Sequence, residues 1–370
     1  MNKYNLILLL AAICLVTALI FVFMGNTAVA GPLFIAFFVG LAIGFRGFKS
    51  LKGFSYTVTI FGAVTAALFY PDAFKSWGGF KLSLLITPLI QLIMFGMGTS
   101  MSVKDFVGVV KMPKGVILGV VSHFIIMPML GYTLANLSGF PPEIAAGIIL
   151  IGCSPNGLAS NVISYLAKAN LALSITITAI STMLAPFVTP TLMKLLAGAF
   201  IEIHILDMMW DIFKMVIIPI AGGLLFNKFL SGKAKWLDKA MPLVSMFGIA
   251  FIIVIITAAG RDNLLTIGPA LILVVLIHNV FGYTFGYWSG KLFKMNERDC
   301  RTIAIEVGMQ NGGLASGIAN QMGKMATVGL APAIFGPLMN ITGSILASYW
   351  HRNPPKEIIE DDPEILARHK

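Results

Sequence analysis

Charge is what this chain has least of. Asp, Glu, Lys and Arg make up 11% of its 370 residues and hydrophobic residues 57%, whereas roughly a quarter of an ordinary soluble domain is charged. So few charges cannot cover the water-facing surface of a soluble protein of this length. Cysteine is also sparse. Cys14, Cys153 and Cys300, all in or beside apolar runs, exclude a disulfide framework. The short alternation of apolar and polar residues that marks a transmembrane β-barrel is missing. No HExxH motif occurs, and His123, His204, His278, His351 and His369 show no metal-ligand spacing, so nothing marks the chain as an enzyme or as the holder of a cofactor.

What is present is a series of long apolar runs. A helix crosses a bilayer with about 20 mostly apolar residues. Twelve runs qualify, at 5–24, 29–45, 54–70, 82–100, 114–136, 143–167, 170–197, 209–229, 241–258, 267–291, 300–322 and 327–350. The chain is therefore expected to be an all-α polytopic membrane protein, with lipid as the solvent of most of its surface. Met1–Lys3, the run from Leu6 and Ala28-Val29-Ala30 before Gly31 also resemble a signal peptide. The run to Met24 is longer than the usual signal core of about 7–15 residues, which favours a retained first helix.

Basic residues set the orientation. If loops alternate sides from the N-terminus, 20 of the 26 Lys and Arg residues fall on the N-terminal side and 6 on the other. The positive-inside rule makes the first side cytoplasmic, with both termini inside, in a bacterial inner membrane. The net charge of +10 is then mostly juxtamembrane and implies no nucleic-acid partner. The tail 351–370 is polar and is expected in the cytoplasm.

The chain also repeats itself. Thr87-Pro88-Leu89-Ile90 answers Met241-Pro242-Leu243-Val244. His123 approximately answers His278, and Gly157-Leu158-Ala159-Ser160 answers Gly313-Leu314-Ala315-Ser316. Each unit holds five crossings, at 54–200 and 201–350. Five is odd, so the second unit enters from the opposite side, which gives an inverted repeat of the kind found in secondary transporters. Residues 1–53 are extra helices outside the repeat.

Two polar segments interrupt the runs at matching places, Gly152–Asn161 and Glu306–Ser316. Pro155, Gly157, Gly312 and Gly313 are helix-interrupting residues. Interrupted backbone at membrane depth is tolerated only where protein or a water-filled cavity satisfies it, and paired breaks point to a transport site. Glu306 stands within one of them. A carboxylate there needs a partner, and the nearby oxygen side chains of Ser160, Asn161, Ser174, Thr178, Gln310 and Asn311 favour a hard cation. A salt bridge from Glu306 to Arg301 or Arg298 is the structural alternative.

At these residues the chain resembles the bile acid:sodium symporter family. Gly152–Thr178 and Glu306–Leu314 match its two most characteristic segments, and Met94-Phe95-Gly96-Met97-Gly98 and Asn340-Ile341-Thr342-Gly343-Ser344 fit it as well. The resemblance spans 54–350. It implies a core domain and a panel domain, with two broken helices crossing in the core. It implies one sodium held by Ser160, Asn161, Ser174, Thr178 and Glu306. A second would be held by Glu306, Gln310 and the carbonyls of Val307 and Met309, with a helix-three glutamine whose place His123 takes here. Asn156, Leu158, Asn311, Met339 and Asn340 fall at the implied substrate pocket. Asn156 replaces a frequent glycine, Leu158 a threonine of some bacterial members and Met339 a histidine.

The function so implied is sodium-coupled symport of a small organic anion, a carboxylate, by alternating access. Sodium is the coupling ion and no other cofactor or obligatory oligomer is implied. A proton-coupled carrier in which Glu306 titrates is the alternative. The charge asymmetry makes a test of topology. Lys49, Lys235 and the C-terminal tail should be cytoplasmic; a cysteine at position 235 that reacts with an impermeant reagent outside intact cells contradicts that orientation.

Overall fold

A computed structural model describes residues 3–48, 51–102, 109–230 and 235–355 of the chain. Lys49 and the tail 356–370, both expected in the cytoplasm, lie outside the described residues. The protein is a multi-pass, all-helical membrane protein. Ten of its described helical spans are long and apolar enough to cross a bilayer. The two remaining runs, 143–167 and 300–322, are each split into a pair of shorter helices.

In chain order the helices are α1 (Lys3–Phe23), α2 (Thr27–Phe45), α3 (Ser55–Phe69), α4 (Ile86–Ser100), α5 (Pro113–Ser138), α6 (Pro142–Cys153), α7 (Ala159–Leu166), α8 (Leu171–Ala197) and α9 (Ile205–Ile212). A single π turn, Phe213–Ile217, leads into α10 (Ile218–Leu230). Then come α11 (Lys235–Ala259), α12 (Arg261–Leu292), α13 (Glu297–Gly308), α14 (Gly312–Gln321) and α15 (Leu330–Arg352). Among the described residues the strands are a two-residue hairpin, Ser76-Trp77 with Phe80-Lys81. Its turn is Gly78-Gly79, and both glycines have positive φ, 54° and 86°, as a tight hairpin turn with its strand-matching twist requires. Ala30 and Gly31, at the signal-like Ala-Val-Ala segment, lie buried inside α2.

Packing gathers the helices into two groups. In the first, α1 lies on α2, α2 on α3, α3 on α11, and α4 against both α10 and α11. The α4–α10 crossing is close because glycines meet there. A Cβ on Gly98 would stand 2.9 Å from Ile220 Cα and 3.0 Å from Gly223 Cα, the small-residue contact by which membrane helices approach. In the second group, α5 packs on α6, α8, α12 and α13, while α15 covers α6, α12 and α14. Its centre is fully buried, with Ile148, Ile149, Leu150, Ile151, Ile303 and Ile305 all at 0% exposure. Both broken pairs, α6/α7 and α13/α14, belong to this second group.

Candidate functional site

The two breaks meet. Asn156 and Gln310 face each other as an isolated antiparallel bridge. Gly157 N donates to Met309 O at 3.1 Å and Asn311 N donates to Pro155 O at 2.8 Å. Each break therefore satisfies part of the other, as non-helical backbone at membrane depth demands. Side chains satisfy further carbonyls. Thr189 Oγ1 donates to Cys153 O at 2.8 Å, and Asn279 Nδ2 donates to Gly308 O at 2.8 Å. Gln310 Nε2 donates to Val307 O at 2.8 Å. Asn156 Nδ2 donates to Glu306 O. Gly157 has no room for a side chain, since a Cβ would lie 2.6 Å from Gln310 O.

Beside this crossing, the first proposed cation set comes together. Glu306 closes the last turn of α13 and is 0% exposed. Ser174 and Thr178, one turn apart on α8, share the helix face turned to it. Ser174 Oγ lies 2.5 Å from Glu306 Oε1 and Thr178 Oγ1 lies 2.9 Å from Oε2. Asn161 Oδ1 is 2.9 Å from Ser174 Oγ and 3.4 Å from Thr178 Oγ1, and Ser160 Oγ is 3.3 Å from Thr178 Oγ1. The start of α8 is pinned to α13. Asn170 N donates to Thr302 Oγ1 at 2.8 Å, and Asn170 Nδ2 to Asp299 Oδ1 at 2.8 Å.

No basic side chain answers Glu306 among the described residues. Arg301 turns the other way, its Nε 2.9 Å from Glu297 Oε1 and its terminal nitrogens donating to Trp350 O at 3.2 Å and Asn353 O at 2.9 Å. Glu306 is thus a buried carboxyl set among oxygens. Burial of an ionised carboxylate without a counter-charge is costly, and such an oxygen cage suits a hard cation.

The second set is arranged differently from a simple ligand ring. His123 Nε2 lies 2.9 Å from Ser154 O. His123 Nδ1 lies 3.1 Å from Asn156 Nδ2 and 3.2 Å from Glu306 O. Both ring nitrogens are therefore engaged by the breaks themselves. The carbonyls of Val307 and Met309 each accept one bond, as described above.

A cavity of about 410 Å³ opens between the two helix groups at the crossing. Leu158, Asn311, Met339 and Asn340 line it, with Gln310 and the glycines at the amino ends of α7 and α14. Asn156 does not; it sits behind the bridge at 1% exposure. The cavity is otherwise apolar, with Ile93, Val162, Ile249 and Ile253 on its walls, and it carries no Lys, Arg, His, Asp or Glu among its described lining. It runs past Tyr56 and Leu166 to Gly53.

The family model described as Sodium Bile acid symporter family matches residues 87–267. An uncharacterized sodium-dependent transporter, YocS of Bacillus subtilis (strain 168), is 37% identical over 313 residues, which cover 84% of this chain and 95% of that protein. The chain belongs to the sodium bile acid symporter family. Plant proteins are also among the similar relatives. The probable sodium/metabolite cotransporter BASS1, chloroplastic, of Arabidopsis thaliana is 31% identical over 269 residues, 73% of this chain and 67% of that one. Its namesake in Oryza sativa subsp. japonica is 30% identical over 307 residues, with 82% and 73% covered.

Sequence inspection left some supporting residues unassigned. Thr189 and Asn279 hold the ends of α6 and α13, and Thr342 Oγ1 donates to Asn279 Oδ1 at 2.6 Å. Their only signal was polarity within apolar runs, which membrane serines and threonines often spend on their own backbone. The bridge itself generates a test. Gly157→Ala should force the two breaks apart, at a cost of about 1–3 kcal/mol for an overpacked site. Purified Gly157→Ala protein should melt earlier and lose transport; wild-type melting and flux would show that the crossing is not tight there.

Proposed function

We propose that this protein is a secondary active symporter that couples sodium to a small organic anion by alternating access. One observation carries the proposal. A fully buried Glu306 with no basic partner among the described residues is ringed by the hydroxyls of Ser174 and Thr178 and joined through them to Ser160 and Asn161. A monovalent cation supplies the missing charge. Because the ligands come from α7, α8 and α13, its binding ties the breaks together.

The packing groups serve as panel and core. α3, α4, α10 and α11 form the panel, extended by α1 and α2, and the core holds both broken helices. The order of elements supports two inverted five-helix units, since the fourth crossing of each is the broken one. The cavity runs toward the end of the bundle that carries most Lys and Arg, so this conformation opens to the cytoplasm. On the opposite end core meets panel directly: Gln321 Nε2 donates to Thr87 Oγ1 at 2.8 Å and Asn320 Nδ2 lies 3.4 Å from Ser83 O. Rocking the core against the panel exchanges which end is open.

The substrate sits where both half-helix amino ends face the cavity, positions that favour anions. Asn311 and Asn340 give it polar contacts, and the apolar walls suit a carbon body. Leu158 offers no hydrogen bond, which separates this pocket from those with threonine there. Sodium moving inward releases about 2.3 kcal/mol per charge per 100 mV, which drives accumulation. Glu306→Gln keeps the size and removes the charge. It should fold, bind sodium at least tenfold more weakly and lose concentrative uptake in vesicles; normal sodium-driven accumulation by this variant would refute the assignment.

A further inference from the structure

Two buried polar side chains of α12 stand between the oxygen cage and the cavity without belonging to either. Asn279 and Tyr283, 0% and 7% exposed, lie one turn apart and so share a helix face. Neither is among the described residues that line the cavity. On one side of them is the broken end of α13, two residues beyond Glu306. In an unbroken helix Gly308 O would accept from Gly312 N. Here Gly312 N donates to Gln310 O at 3.1 Å, and Asn279 Nδ2 serves Gly308 O in its place at 2.8 Å. The Tyr283 ring lies on the same residue, where a Cβ would stand 2.5 Å from Tyr283 Cε1.

On the other side is α15, whose Met339 and Asn340 line the cavity. Thr342 Oγ1 donates to Asn279 Oδ1 at 2.6 Å. A membrane threonine often spends its hydroxyl on its own backbone, but Thr342 Oγ1 is farther from Leu338 O and Met339 O, at 3.1 and 3.2 Å. Tyr283 OH donates to Met339 O at 3.2 Å. One planar carboxamide therefore holds both helices. Its nitrogen must face Gly308 O, because a carbonyl only accepts, and that turns its oxygen to Thr342. A shift at the end of α13 is passed on to α15 or else breaks a buried hydrogen bond, which is costly to leave unmade.

We propose that Asn279 is the positioning residue that couples the ion to the substrate: its carboxamide ties the α13 end, two residues from Glu306, to the stretch of α15 that forms the cavity wall. Ion binding that orders the break then orders Met339 and Asn340 as well. By linkage, a ligand held by that wall strengthens ion binding by the same factor. The inference rests on the sodium coupling proposed above and assigns the contact that carries it.

The test uses the purified, detergent-solubilised chain with Asn340→Cys as a reporter on the cavity wall. Cys14→Ser removes the half-buried native thiol, and Cys153 and Cys300 are buried. Binding of radioactive sodium and the rate of maleimide labelling at position 340 are measured, with choline keeping ionic strength constant. Sodium should change the labelling rate at least threefold. No sodium binding would remove the coupling proposal itself; sodium bound with an unchanged labelling rate would leave that proposal standing and overturn this one. Asn279→Leu, monodisperse by gel filtration, should bind sodium within fivefold of the reporter's affinity and lose the labelling response. Loss of sodium binding would make Asn279 a structural support of the cage and remove its coupling role. Should Asn279→Leu misfold, Thr342 decides. Thr342→Val keeps the shape, loses the hydroxyl and should abolish the response with sodium still bound, whereas Thr342→Ser should restore it. A full response in Thr342→Val, or none in Thr342→Ser, overturns the inference.

Discussion

A helix broken inside a membrane exposes carbonyls and amides that lipid cannot satisfy, and every functional feature of this protein follows from how that debt is met. The breaks after Cys153 and after Gly308 are placed against each other so that Gly157 N and Asn311 N serve Met309 O and Pro155 O. This reciprocal bond fixes the approach of α7 to α13. It brings Ser160 and Asn161 beside Glu306, and α8, pinned through Asn170, adds Ser174 and Thr178. The oxygen cage around Glu306 is thus a by-product of backbone satisfaction at the crossing. So is the cavity, because the same breaks turn two helix amino ends toward the space between the packing groups.

The coupling logic is electrostatic. A carboxylate at 0% exposure without a basic partner is a poor resting state unless a cation joins it. A cavity lined without any charged side chain among its described residues is a poor host for an anion until positive charge stands nearby. One ion answers both needs. In the proposed coupling, sodium at Glu306 would neutralise the carboxylate, hold the broken helices in register and leave the amino ends of α7 and α14 free to meet an anion. On that proposal, substrate and ion would depend on the same crossing without sharing a ligand.

Much of this was legible in the residues, for identifiable reasons. Run length and apolarity are local, so each of the twelve apolar runs has its helix or helix pair. Pro155, Gly157 and Gly312-Gly313 marked the breaks because backbone chemistry is local too. By contrast, Pro186 and Pro190 leave α8 unbroken, since neighbouring groups can make good a single lost bond. The membership of the proposed cation cage came from family resemblance, since only the fold brings its five side chains together. Bridge register was beyond sequence altogether. It decides that Asn156 faces away from the cavity while Leu158 lines it, two residues apart. Thr189 and Asn279 were hidden for the same reason, because the carbonyls they serve belong to other helices.

Uptake of a radiolabelled organic anion into proteoliposomes, with the sodium gradient and the proton gradient imposed separately, bears most directly on the central claim. Accumulation should follow the inward sodium gradient, rise with an interior-negative potential and persist when a protonophore collapses the pH difference. Accumulation that tracks the proton gradient and ignores sodium would contradict the account.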